Sequence, residues 1–135
     1  MRVLIVDDDD SIRRILTRCL TAWGWEAEEC QSIGGARAAI SQAGFALALC
    51  DVDLPDGDGV ALALMMRGSN PSLGVVMISG NPENLDRARR CGLTVCLQKP
   101  FELRELKELV EREAAVLTSG RRGSGAGRSP VRRRA

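Results

Sequence analysis

The side chains able to do chemistry gather at four places: Asp7-Asp8-Asp9-Asp10, Asp51-Val52-Asp53, Ser79-Gly80-Asn81 and Gln98-Lys99-Pro100. Two carboxylates about 4 Å apart repel by roughly 4 kcal/mol at an effective dielectric of about 20, so several of them sharing one crevice need compensation. A divalent cation supplies it. An all-oxygen ligand set without His or Cys favours a hard ion, and Mg²⁺ takes a few carboxylates while keeping waters and a phosphate oxygen. Lys99 can pair with a carboxylate at rest and with a phosphoryl oxygen afterwards, and Ser79 can donate a hydrogen bond to another. With cation and lysine spreading the transferring charge, Asp51 can act as a carboxylate nucleophile and form an acyl phosphate.

Those residues meet only if the elements before them end at one edge. Short apolar runs at 3–6, 45–50, 75–78 and 95–97 are continuous rather than alternating, which predicts strands buried on both faces; residues 25–30 fit a weaker strand. Ile12, Ile15, Leu16, Cys19, Leu20 and Trp23 recur at the spacing of one helix face, with Ser11 or an adjacent aspartate as cap. Further helices fit 33–41, 58–67, 82–91 with proline in the first turn, and 102–117 with Leu103, Leu106 and Val110 inward. The strand–helix unit then occurs five times, predicting an α/β fold with a parallel sheet between helices. Ligands of such sheets bind outside the carboxyl ends of the strands, where all four chemical clusters fall.

Length and composition set the frame. The chain of 135 residues is 44% apolar, enough for one core and with no room for a second effector domain. Its longest apolar run, 60–66, is far short of the roughly 20 residues of a membrane span, and the N-terminus lacks a secretory hydrophobic stretch, so a cytoplasmic protein without membrane insertion is expected. Five cysteines with no C-x-x-C pair and no histidine argue against a disulfide framework or zinc site. The net charge of +1 hides an asymmetry: six of the 19 basic residues are arginines after Leu117, where there is no acid, leaving 13 bases against 18 acids and a net −5 for residues 1–117. Residues 118–135 read as a disordered arginine-rich tail, and any nucleic-acid contact would fall to it.

In order along the chain, Val6-Asp7-Asp8, Asp51-x-x-Leu54-Pro55-x-x-Asp58-Gly59, Ser79-Gly80 and Lys99-Pro100-Phe101 resemble the receiver domain of two-component response regulators over roughly residues 2–117. The resemblance implies a flavodoxin-like five-stranded sheet in order 2-1-3-4-5. Asp7 and Asp8 would be the metal-binding acidic pair, Asp51 the phosphoacceptor and the Asp53 backbone carbonyl a further Mg²⁺ ligand. Ser79 and Lys99 would bind the phosphoryl group, and Lys99-Pro100 would be a cis peptide. A histidine kinase or histidine phosphotransfer protein would be the donor. Output would pass to a downstream protein at the face of the fourth helix, fifth strand and fifth helix, where Arg87, Arg90, Gln98, Arg104 and Glu105 are candidate contacts. The chain departs from the family at Cys96, three before the lysine, where an aromatic switch residue often stands.

Plainer readings stand beside these. Asp9, Asp10, Asp56 and Asp58 read as turn formers or helix caps, Gly57 and Gly59 as residues that permit the loop and helix start, and Cys50 as a small buried hydrophobe. Trp23 reads as core; the pattern does not decide Trp25. Asp51-Val52-Asp53 also matches the D-x-D of haloacid dehalogenase-type phosphatases, but there it follows the first strand, whereas here an acidic pair comes first. A flavodoxin-like carrier would need a hydroxyl- and glycine-rich loop where four aspartates stand. The alternative of another class is a receiver-like scaffold that binds partners without phosphorylation.

Overall fold

The computed structural model describes residues 1–42 and 44–118. Of the arginine-rich tail, only Thr118 falls within the described residues, as the end of the last helix; the rest lies outside them. In chain order the elements are β1 (Arg2–Val6), α1 (Asp10–Ala22), β2 (Glu26–Cys30), α2 (Ile33–Ile40), β3 (Phe45–Asp51), a small hairpin of β4 (Asp53–Leu54) and β5 (Gly57–Asp58), α3 (Gly59–Ser69), β6 (Gly74–Ser79), α4 (Pro82–Arg90), β7 (Cys96–Gln98) and α5 (Leu103–Thr118). The main sheet has five strands in the order β2-β1-β3-β6-β7, every pair parallel. Because the hairpin contributes two strands of its own, this is the expected 2-1-3-4-5 order.

The sheet is buried on both sides because its central strands are apolar except at their end residues. Val3, Leu4, Ile5 and Val6 are wholly buried, and successive side chains serve opposite faces. Leu4, Val6, Ala48, Cys50, Val75 and Met77 pack towards α2, α3 and α4, while Val3, Ile5, Leu47, Leu49, Val76 and Ile78 pack towards α1 and α5. Two inward expectations fail at helix margins. Ile15 is 47% exposed, because the buried stripe of α1 is centred on Leu16 and Leu20, and Ile15 is rotated away from it; Leu103, the first residue of α5, is 50% exposed.

Aspartates cap the helices, as their plainer reading has it. Asp9 accepts the amides of Ser11 and Ile12 at the start of α1, and Asp58 accepts that of Val60 at the start of α3. Asp56 reaches from the β4–β5 turn to the amides of Ile33 and Gly34 and so caps α2, bonds that hold its carboxyl below the usual range.

The end of α1 shows why Trp25 is buried. Gly24 has φ +93°, its amide meets the carbonyl of Thr21, and the amide of Trp25 returns to that of Leu20, the reciprocal pair of a glycine-terminated helix. That turn lays Trp25 on the core beside Leu20, whereas Trp23 is only partly buried. Nothing lies within 4 Å of where a Cβ on Gly24 would sit. Gly24→Ala therefore carries only the backbone cost of a left-handed conformation, about 1 to 2 kcal/mol, and is expected to lower the melting temperature by roughly 4–8 °C in a thermal unfolding scan.

Candidate functional site

Parallel pairing brings the ends of β1, β3, β6 and β7 to one edge, each with a polar residue at or just after its last position. Asp7 is wholly buried at the end of β1, Asp51 is the last residue of β3 and 6% exposed, Ser79 is the last of β6 and wholly buried, and Lys99 follows β7. Asp8 is exposed beside them. One carboxylate oxygen from each of Asp7, Asp8 and Asp51 lies within 4.8 Å of the other two.

Lys99 holds the cluster together from the far strand. Its Nζ lies 3.1 Å from Asp7 Oδ2 and 3.5 Å from Asp51 Oδ2. Burial pulls the ammonium down, but the hydrogen bond to Asp7 and the charge of Asp51 outweigh it and leave Lys99 above its ordinary value. One lysine does not balance three acids. Burial first, and then the Asp7 charge, push the Asp51 carboxyl up to about 6, with Lys99 and the Asp53 backbone N–H pulling the other way. The donor set is all oxygen, crowded and short of positive charge, which fits a hard divalent cation.

The strand ends are fixed by local bonds. The Asp9 amide donates to Asp7 Oδ1 at 2.9 Å, and Arg13 on α1 donates to the Asp7 carbonyl at 2.7 Å while pairing with Asp10 and Glu29. The amide of Val52 donates to the Ile78 carbonyl and that of Lys99 to the Ser79 carbonyl, both at 2.9 Å, so the strand ending in Asp51, the strand ending in Ser79 and the lysine share one frame. The Lys99-Pro100 bond is cis, as the resemblance implied. Cys50 is wholly buried next to Asp51; burial, then the Asp51 and Asp7 charges, push its thiol up, and it packs as a hydrophobe.

Asp53 stands apart from the carboxylate cluster. Its exposed side chain accepts from Asn84 Nδ2 of α4 at 3.0 Å. The Asn81 amide oxygen accepts from the Glu83 N–H at 2.9 Å, so this side chain is engaged as the cap of α4. Arg87, a candidate partner contact, makes a two-pronged pair with Asp58 at 2.8 and 3.1 Å. The sequence reading misses Asn84 and Arg13. The available signal for each was position: Asn84 is the third residue of a helix that starts just after Ser79-Gly80-Asn81, and Arg13 is one turn after Asp10.

The response regulator receiver domain family matches residues 3–111 of the chain. The response regulator receiver protein CpdR of Brucella abortus is 30% identical over 117 residues, covering 82% of this chain and 94% of that protein. The response regulator FleR of Pseudomonas aeruginosa is 34% identical over 115 residues, covering 84% of this chain. The chain spans only about a quarter of FleR and of PilR from the same organism, 24% and 25%. Among solved structures, a CheY-like receiver domain protein from Methanospirillum hungatei superposes with a TM-score of 0.81 at 30% identity, covering 87% of this chain and 96% of that one. The receiver domain of NtrX from Brucella abortus gives 0.76 at 34% identity, with 82% and 96% covered.

Proposed function

This chain belongs to the response regulator receiver domain family, and on that premise we propose that it accepts a phosphoryl group on Asp51 and signals by changing what it binds. The observation that carries the reading is the convergence of Asp7, Asp8 and Asp51 with Lys99 at adjoining strand ends. Asp7, Asp8, Asp51 and the backbone carbonyl of Asp53 would hold Mg²⁺, which when bound supplies positive charge to the transferring phosphoryl group. In the transfer an Asp51 carboxylate oxygen attacks phosphorus, an O–P bond forms, and the bond to the donor breaks. From a phosphohistidine the electron pair of the P–N bond returns to the imidazole nitrogen, which takes a proton from solvent. Lys99, already between Asp7 and Asp51, moves its charge to a phosphoryl oxygen, and the Ser79 hydroxyl donates a hydrogen bond to another.

The donor would be a histidine kinase or a histidine phosphotransfer protein. The match to CpdR over nearly all of that protein's length supports a receiver that acts through a separate partner. The partner would dock on the face of α4, β7 and α5, where Cys96 takes the place of an aromatic switch residue. A cytoplasmic site of action belongs to the same reading, and among the described residues no helix is long and apolar enough to cross a membrane. This is a signalling domain; its chemistry is limited to promoting its own phosphoryl transfer and loss.

Incubation with acetyl phosphate tests this directly. The intact mass is expected to rise by one phosphoryl group with Mg²⁺ and to stay unchanged with EDTA. No gain in either condition from protein shown to be folded would overturn the reading in favour of a scaffold that is never phosphorylated.

A further inference from the structure

We propose that Asn84 is a positioning residue for phosphoryl transfer, an inference that rests on the function proposed above. Its side-chain nitrogen lies 3.0 Å from Asp53 Oδ2 and 3.5 Å from Ser79 Oγ. A carboxylate can only accept, so the nitrogen and not the oxygen of the amide faces Asp53, and a primary amide carries two N–H donors, one for each of these oxygens.

The consequence falls on the Ser79 hydroxyl. Its oxygen accepts from the Asn81 backbone N–H at 3.0 Å and, at longer range, from Asn84. A hydroxyl has two acceptor positions and one proton, so these contacts leave only the proton to be placed. Ser79 is wholly buried, and in both of these contacts its oxygen is the acceptor, so neither uses that proton. Two N–H groups on one side of the oxygen turn the O–H away from α4, and the hydroxyl is aligned as a donor before any phosphoryl group arrives. At the same time Asn84 holds the Asp53 carboxylate two residues beyond the acceptor and against α4.

Asn84 is itself held. One turn later on the same helix, Arg87 grips Asp58, and Asp58 is the cross-strand partner of Asp53 in the β4–β5 hairpin. Both strands of the hairpin that follows the acceptor are thus bonded to one face of α4. The half-exposed Arg87–Asp58 pair adds little stability by itself, but with Asn84 it sets where the helix start lies relative to Asp51.

The test compares rates of mass gain from acetyl phosphate and Mg²⁺ for wild type, Asn84→Ala and Asn84→Asp, each also in a Ser79→Ala background. Loss of one aligned donor is expected to slow wild type by about five- to tenfold in Asn84→Ala. Asn84→Asp keeps the size but replaces the N–H donors with a charge facing Asp53, and is expected to slow transfer at least as much. In the Ser79→Ala background the Asn84→Ala effect is expected to shrink to less than about twofold, the non-additivity of groups that act through each other. Equal rates for wild type and both Asn84 variants would overturn this inference alone. A slowing that is the same with and without Ser79 would reduce Asn84 to a structural residue. No gain in wild type would overturn the phosphoacceptor reading, and this inference with it.

Discussion

After incubation with acetyl phosphate and Mg²⁺, the Asp51→Asn protein is expected to keep the mass of the unmodified chain. The amide has nearly the shape of the carboxylate it replaces but offers no nucleophilic oxygen anion. Misfolding is not expected to account for the loss. Burial, and then the Asp7 charge, already push the Asp51 carboxyl up to about 6, so a neutral side chain relieves both desolvation and repulsion at the strand end. Without divalent cation, the variant's melting temperature is expected to equal or exceed that of wild type. Lys99→Ala is expected to behave differently. The acceptor remains, but the positive charge bridging Asp7 and Asp51 is gone, and the rate of mass gain is expected to fall by roughly 10²–10³-fold without removing the reaction. A full mass gain in Asp51→Asn would send the phosphoryl group to another acid, and the exposed Asp8 and Asp53 would be the next residues to replace.

Gly59→Ala is expected to be among the most damaging single-methyl changes in the chain. The first residue of α3 lies against the strand end that carries Asp51, with its amide on the Val52 carbonyl at 2.7 Å. A Cβ there would collide with the Asp51 carbonyl oxygen and lie 2.9 Å from Val52 Cα. Both are backbone atoms that no rotamer change can move. Either α3 withdraws or the end of β3 shifts, and a cost of about 3 kcal/mol or more is expected, a fall of at least roughly 10 °C in melting temperature. Unlike Gly24→Ala, whose cost is in backbone conformation, this substitution also displaces Asp51. The surviving folded protein is therefore expected to be slowly phosphorylated. A melting temperature within about 2 °C of wild type would show that the helix start can retreat freely.

How much of this was legible in the sequence followed from burial. The strands β1, β3 and β6 announce themselves because both of their faces are covered, which leaves no polar position to break the run. The edge strand β2 carries Glu26, Glu28 and Glu29 and reads weakly, and it begins one residue later than the 25–30 expected. The β4–β5 hairpin was invisible: two residues per strand carry no period, and its pairing depends on the Asp56 cap and on α4. The acids, the serine and the lysine were legible because each ends a strand, and the sheet converts that position into proximity. Asn84 was not, since a polar residue on a half-exposed helix ordinarily faces water, and only the bonds to Asp53 and Ser79 distinguish it. Gly59 was legible as a residue that permits the helix start, but its steric requirement was not, because the backbone that excludes a side chain comes from a different element.

The lysine and the acids also differ in how firmly they are rooted. Asp7 and Asp51 end strands in the middle of the sheet, each paired on both sides, whereas Lys99 hangs from a three-residue edge strand paired on one side only. Amide protons opened by local unfolding are lost first where pairing is short and one-sided. In a native-state hydrogen-exchange experiment the site is therefore expected to come apart from its cationic side: β7 opens and carries Lys99 away while the carboxylates stay fixed on the slowest-exchanging strands.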